Sequence, residues 1–249
     1  MRPVTRPPAN PEKTMSNTNF LSFINSQIPA ADRPAAPPPN FARRAVTLSR
    51  QAGSGAREVA DKLAACLQAH QPAPHLESRR PPWTVFDRNL MDKVLEEHNL
   101  PKYLARFLPE DRISALEDML DDIFGLHPPQ ETIVKQTAET ILGLTEVGNV
   151  ILIGRAGNIV TAKMPGVLHV RLVAPLDLRV EHIREHRGLT TAQAHDFCAH
   201  EDAGRERYLK KYFHADINDP LHYHLVINTS LINYDQAARL ITDALLGLT

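Results

Sequence analysis

The 249-residue sequence holds only two cysteines, Cys66 and Cys198, both in helix-like surroundings. That excludes a disulfide framework and suits a reducing compartment, so a cytoplasmic location is expected. No apolar run approaches the roughly 20 residues that a membrane span requires. The amino-terminal stretch lacks the apolar segment of a secretory signal. Aromatic residues amount to 6%, so the core must be built mainly from Leu, Ile, Val and Ala. Neither sign of charge dominates, with 28 Lys and Arg against 29 Asp and Glu. Such a balance exerts no general pull on a nucleic-acid polymer or an anionic membrane, and neither is expected as a partner. Any anion site must come from local clustering. Nucleophile signatures are missing as well, because no serine sits in a Gly-x-Ser-x-Gly turn. Among 12 histidines, His182 and His186 are four apart and share a helix face. No third ligand stands at a spacing that implies a metal site, so they read as surface or phosphate-proximal residues.

What is present is a patterned chain behind a proline-rich leader. Residues 1–40 contain nine of the 20 prolines and too little apolar patterning to offset the entropy of ordering. The leader is expected to be disordered; Asn19–Ile28 reads either as a short docking helix or as part of an inert tail. From residue 41 to 249 the pattern is that of one α/β domain, and 43% hydrophobic content is enough to fill its core. Five short apolar runs read as strands: Ala45–Ser49, Trp83–Phe86, Val150–Ile153, Val167–Val173 and Leu225–Asn228. Helical periodicities alternate with them, which implies a parallel sheet covered on both faces. In such sheets ligands bind at the carboxyl ends of the strands.

After the first strand comes Ser49-Arg50-Gln51-Ala52-Gly53-Ser54-Gly55-Ala56-Arg57-Glu58, followed by an amphipathic helix carrying Val59, Leu63 and Leu67. A strand, a glycine-bearing turn and a helix N-terminus are the parts of a phosphate cradle. Glycine lets the backbone approach an anion, and successive N–H groups point at it. The alternative is a plain flexible turn. A standard Walker loop would have lysine where Ala56 stands, so Arg50 and Arg57 are the cations that could substitute.

These residues, with Phe86-Asp87-Arg88-Asn89-Leu90, Ile153-Gly154-Arg155-Ala156-Gly157-Asn158, the Arg179/Arg184 helix, Glu201-Asp202-x-x-Arg205-x-x-Tyr208 and Leu225-Val226-Ile227-Asn228-Thr229-Ser230, resemble the cytidylate kinase-like family of P-loop kinases. The resemblance implies a three-layer α/β sandwich of P-loop NTPase type with sheet order 2-3-1-4-5. It also implies a helical acceptor insert at about 88–147 and a lid at about 188–220. It further implies ATP with Mg²⁺ and a small-molecule acceptor, such as a nucleoside monophosphate. Gly53, Ser54, Gly55, Ala56 and Arg57 would hold the donor phosphates. Asp87, Arg155 and Asp202 would lie on the acceptor side, and Arg50, Arg155, Arg184 and Arg205, with Arg187 beside them, would surround the transferring group. Unlike true cytidylate kinases, this chain has Ile153 and Ala156 rather than acids flanking Gly154-Arg155.

Each assignment has a plainer rival. Arg179, Arg184 and Arg187 could lie on a solvated helix face, paired with Glu181 and Glu185. Asp202 and Arg205 could be a surface ion pair, or Asp202 could hold Arg205 in position. Asp87 could cap a helix, and Ser230 could cap the last one. Function follows the same division: an ATP-dependent phosphotransferase, a nucleotide-binding sensor or scaffold without catalysis, or a kinase of a non-nucleotide metabolite.

Overall fold

The computed structural model describes residues 44–71, 82–87, 110–124 and 132–248. The leader, with Asn19–Ile28, lies outside that range, as do residues 88–109 of the expected insert. Chain order is β1 (Ala45–Arg50), α1 (Ala56–Ala69), β2 (Thr84–Phe86), α2 (Glu110–Phe124), α3 (Thr132–Val147) and β3 (Val150–Ile153). Then follow α4 (Gly157–Val160), β4 (Val167–Val173), α5 (Leu176–Arg187), α6 (Thr191–Phe213), a 3₁₀ turn at Pro220–His222, β5 (Leu225–Asn228) and α7 (Tyr234–Gly247).

All five strands run parallel in the order β2-β3-β1-β4-β5, as expected. Their composition follows from burial on both faces. Side chains alternate across a strand, so Val46, Leu48, Ile151, Ile153, Leu168 and Val170 pack beneath α1 and α7. Ala45, Val150, Leu152 and Val167 face the opposite layer, where α2 and α3 supply Leu120, Ala138, Ile141 and Leu142. Three layers result, and the two cores hold β1 rigidly at the centre. Ala45 pairs at once with Val150 and Val167. The carboxyl ends of β1 and β3 are therefore fixed relative to each other.

Helices α5 and α6 pack on each other beyond those strand ends, around Val180, Ile183, Ala194 and Cys198. A capping box of Thr190 and Gln193 starts α6, so its register is locally fixed. The last helix is capped by Asn233 with Gln236, not by Ser230, whose N–H and hydroxyl donate to Asn228 Oδ1 at 3.0 and 2.7 Å. Both cysteines are free thiols. Among the described residues no helix is long and apolar enough to cross a membrane.

Candidate functional site

The glycine loop leaves β1 and turns sharply, with Gly53 at φ 79° and Gly55 at φ 75°. A Cβ at Gly53 would strike the Arg179 backbone, and one at Gly55 would strike the Tyr234 ring. Both positions need glycine for backbone angle, and Gly53 also for space against fixed backbone. The loop is tied down from within: Gln51 N–H donates to Leu172 O at 3.0 Å, and Ser54 Oγ donates to Gln51 O at 2.9 Å. Helix α1 then starts at Gly55 with no side-chain cap. Among the described residues no acceptor takes up the N–H groups of Gly55, Ala56 or Arg57. These orphan donors point along the positive end of a 14-residue helix.

Asp202, on α6, holds the loop from the other side. Its Oδ1 accepts from Ala52 N–H at 2.7 Å and from Arg205 Nη1 at 2.9 Å, and its Oδ2 accepts from Arg179 Nη1 at 2.7 Å. Arg179 also donates to the carbonyls of Ala174 and Ala52, each at 3.0 Å. It is only 7% exposed. A guanidinium that deep needs its charge answered and its donors filled, and this set does both. Asp202 thus holds Arg205 and the loop in place; both its oxygens are engaged.

Beside this clamp lies a cavity of about 290 Å³. Its walls come from the ends of β1 and β3, the turn into α4, and the inner face of α6; Arg50, Arg155 and Arg205 all line it. Gly154 takes φ 83°, which favours glycine, and the Arg50 guanidinium lies against it where a Cβ would sit. Arg155 and Ala156 also take positive φ, 56° and 58°, a conformation that costs a non-glycine residue on the order of 1 kcal/mol. Arg205 is anchored by Glu201 at 2.8 Å as well as by Asp202. Arg50 has no hydrogen-bonded acceptor among the described residues. Burial, then the charges of Arg205 and Arg155, lower its pKa to about 9, against the opposing pull of Glu201 and Asp87. It stays charged at neutral pH, held among like charges. Asn158, 5% exposed and lining the same cavity, has an Nδ2 donor with no partner among the described residues. Converging cations and an amide donor without a partner among the described residues are the groups that an anion would satisfy.

A profile of the cytidylate kinase-like family matches residues 79–231. The chain belongs to that family.

The matched stretch takes in Asp87, Arg155, Asp202 and Arg205, while the glycine loop precedes it. The chain is 35% identical to a uronate isomerase of Corynebacterium glutamicum over 109 residues, 44% of this chain and 21% of that protein. It therefore spans about a fifth of that relative's length. A crystal structure of an uncharacterized protein from Eubacterium ventriosum superposes with a TM-score of 0.60 at 17% identity, covering 82% of this chain and 98% of the other. A shikimate kinase from Bacteroides thetaiotaomicron gives 0.41 at 14% identity over 83% and 98%.

Not every arginine of this cytidylate kinase-like chain joins the cavity. Arg184 lies on the exposed face of α5, bonded to Glu181. Arg187 stacks on the Phe197 ring at 4.4 Å. Neither is brought to the cavity, because the helical phase of α5 turns both outward and only Arg179 inward. The Arg57 side chain is 48% exposed and is spent on Asp61 and Asp87, at 3.0 and 2.8 Å. Asp87 is thus paired with α1, and the residues it could cap lie outside the described range. Of the two cations that could replace the missing lysine, Arg50 remains uncommitted.

Three polar residues of the site escaped sequence reasoning. Asn158 and His169 stood only as members of the family-like runs Ile153–Asn158 and Leu168-His169-Val170, with no role given to either. Arg171, 5% exposed in β4, donates to Ser49 Oγ and Asn218 Oδ1, each at 2.9 Å. A lone charge inside the apolar run Val167–Val173 was the available signal. His169, 6% exposed, meets Thr47 Oγ1 at 2.9 Å, and Thr47 lines the cavity floor. Burial, then the charge of His224, push the His169 pKa down to about 4, so the ring is neutral at physiological pH.

Proposed function

We propose that the protein is a phosphotransferase that moves the γ-phosphate of ATP to a small acceptor bearing an anion, a nucleoside monophosphate being the first candidate. The observation that carries this reading is the convergence of Arg50, Arg155, Arg205 and the Asn158 amide, unpartnered among the described residues, in one cavity at the carboxyl ends of β1 and β3. Phosphoryl transfer asks little of a nucleophile and much of fixed positive charge, because negative charge spreads over the phosphoryl oxygens in the transition state. The N–H groups of Gly55, Ala56 and Arg57 suit the donor phosphates. Arg50 and Arg155 suit the acceptor phosphate, and Arg205, carried by the helix of the expected lid, suits the group in transit. Asp202 is a positioning residue for Arg205 and the loop. Mg²⁺, when bound, neutralises charge on the donor phosphates and draws most of its shell from phosphate oxygen and water.

The orphan loop amides and the neighbouring Arg205 and Arg155 charges around Arg50 fit a polyanion, which would offset their mutual repulsion. Ala56 at the lysine position and the Asp202 carboxylate on Ala52 N–H favour a second reading, a nucleotide sensor without turnover. ADP formation with Mg²⁺-ATP, measured against a panel of nucleoside monophosphates and non-nucleotide phosphorylated metabolites, separates the two. Acceptor-dependent turnover that is lost in Arg50→Ala and Arg155→Ala is the expected result. ATP binding without turnover for any acceptor establishes the sensor, and failure to bind nucleotide removes both.

A further inference from the structure

On the far side of the glycine loop, α1 and α5 bring together Glu58, His182 and His186. His182 Nε2 lies 3.4 Å and His186 Nε2 3.6 Å from the same oxygen, Glu58 Oε1. The three ligand atoms all fall within 4.8 Å of one another. We propose that Glu58, His182 and His186 form a binding site for a divalent transition-metal ion of the zinc class, independent of any Mg²⁺ that accompanies a nucleotide.

The spacing is the first argument. Bonds of about 2.0–2.1 Å in a tetrahedral shell place neighbouring ligand atoms roughly 3.3–3.4 Å apart. The two carboxylate–imidazole separations already match that edge within a few tenths of an ångström.

The second argument is tautomeric. His186 Nδ1 lies 2.9 Å from the His182 backbone carbonyl, so the proton sits on Nδ1 and the Nε2 lone pair is left toward Glu58. Metal-bound imidazoles are oriented by this kind of second bond. His182 Nε2 approaches the same Glu58 oxygen, so a bound cation would displace the proton between them.

The third argument is donor chemistry. Two imidazoles and one carboxylate suit zinc and its transition-metal neighbours, whereas Mg²⁺ prefers an all-oxygen octahedron. The cleft beside the cluster is lined by Gly53, Glu185, Thr229 and Tyr234, among others. It leaves access for a fourth ligand such as water. An ion here would tie α1 to α5, the helix whose Arg179 clamps the glycine loop.

The test uses the full chain stripped by a chelator and titrated with Co²⁺, followed by visible absorption and by thermal melting. One Co²⁺ per chain is expected, displaced by Zn²⁺ and not by a large excess of Mg²⁺. With Zn²⁺ at a hundredfold excess over its Kd, melting should rise by about 5–10 °C. Glu58→Gln and His186→Gln change accessible side chains. Each should weaken Co²⁺ binding at least about tenfold while leaving metal-free melting within about 2 °C of the parent. Cys66→Ser should leave the affinity unchanged, which separates the cluster from thiol binding. Co²⁺ binding in Glu58→Gln and His186→Gln equal to that of the parent overturns the proposal. So does the absence of saturation at one ion per chain.

Discussion

Two sets of arginines look alike in the sequence and behave differently in the fold. Arg50, Arg155 and Arg205 come from the ends of two buried strands and from the inner face of α6, and they share one cavity. Arg179, Arg184 and Arg187 ride on the single helix α5 and are separated by its turn. One is buried as a clamp on the glycine loop, one is paired in solvent with Glu181, and one lies on the Phe197 ring. Strand ends in a parallel sheet converge on a shared edge, whereas positions along one helix fan out around its axis. Density of positive charge along the chain therefore says less than the element that carries it.

The largest effect should fall on Arg155. In Arg155→Ala, kcat/KM for transfer to the acceptor should drop by about 10²–10³-fold, the scale of losing one preorganised donor to transition-state charge. Arg187→Ala should stay within about twofold under the same assay; equal losses in both would erase the distinction between the two sets.

Next is Arg179, where the expected loss is structural. Arg179→Met removes the partner of Asp202 Oδ2 and leaves the Ala52 and Ala174 carbonyls short of a donor. Breaking such a buried pair should cost about 3 kcal/mol, read as a melting temperature lower by about 6–12 °C. A melting temperature within 2 °C of the parent would show that the clamp does not hold the loop.

Smaller and pH-dependent is the contribution of His169. Its pKa in the folded chain is about 4 against about 6.5 when unfolded. Between those values the unfolded chain binds more protons, so stability rises with pH. The benefit is complete above pH 6.5 and is lost as pH falls toward 4. The loss is on the order of 3 kcal/mol at most. His169→Gln should flatten that part of the melting-versus-pH curve.

The sheet was readable because parallel strands buried on both faces become short, continuous apolar runs, and all five appear where those runs stand. Their order rested on the family resemblance instead. Periodicity placed Asp202, Arg205 and Tyr208 on one face of α6. It could not reveal that Asp202 reaches Ala52 N–H, a partner 150 residues away. Arg184 stands outside the cavity for a related reason: spacing gives relative phase along a helix, but not which side meets the sheet. His182 and His186 were visible as a pair, whereas Glu58 joins them only when α1 packs beside α5. Asn158 stood in a family-like run without a role, because its role comes from a partner missing among the described residues.

The most direct test of the account is calorimetric binding of the acceptor monophosphate to Arg50→Met and Arg184→Met, each compared with the parent chain. The account predicts that Arg50→Met weakens binding by about 100-fold or more, as expected when a charge-assisted contact to phosphate is removed, while Arg184→Met binds like the parent. Undiminished binding in Arg50→Met, or an equal loss in both variants, would contradict it.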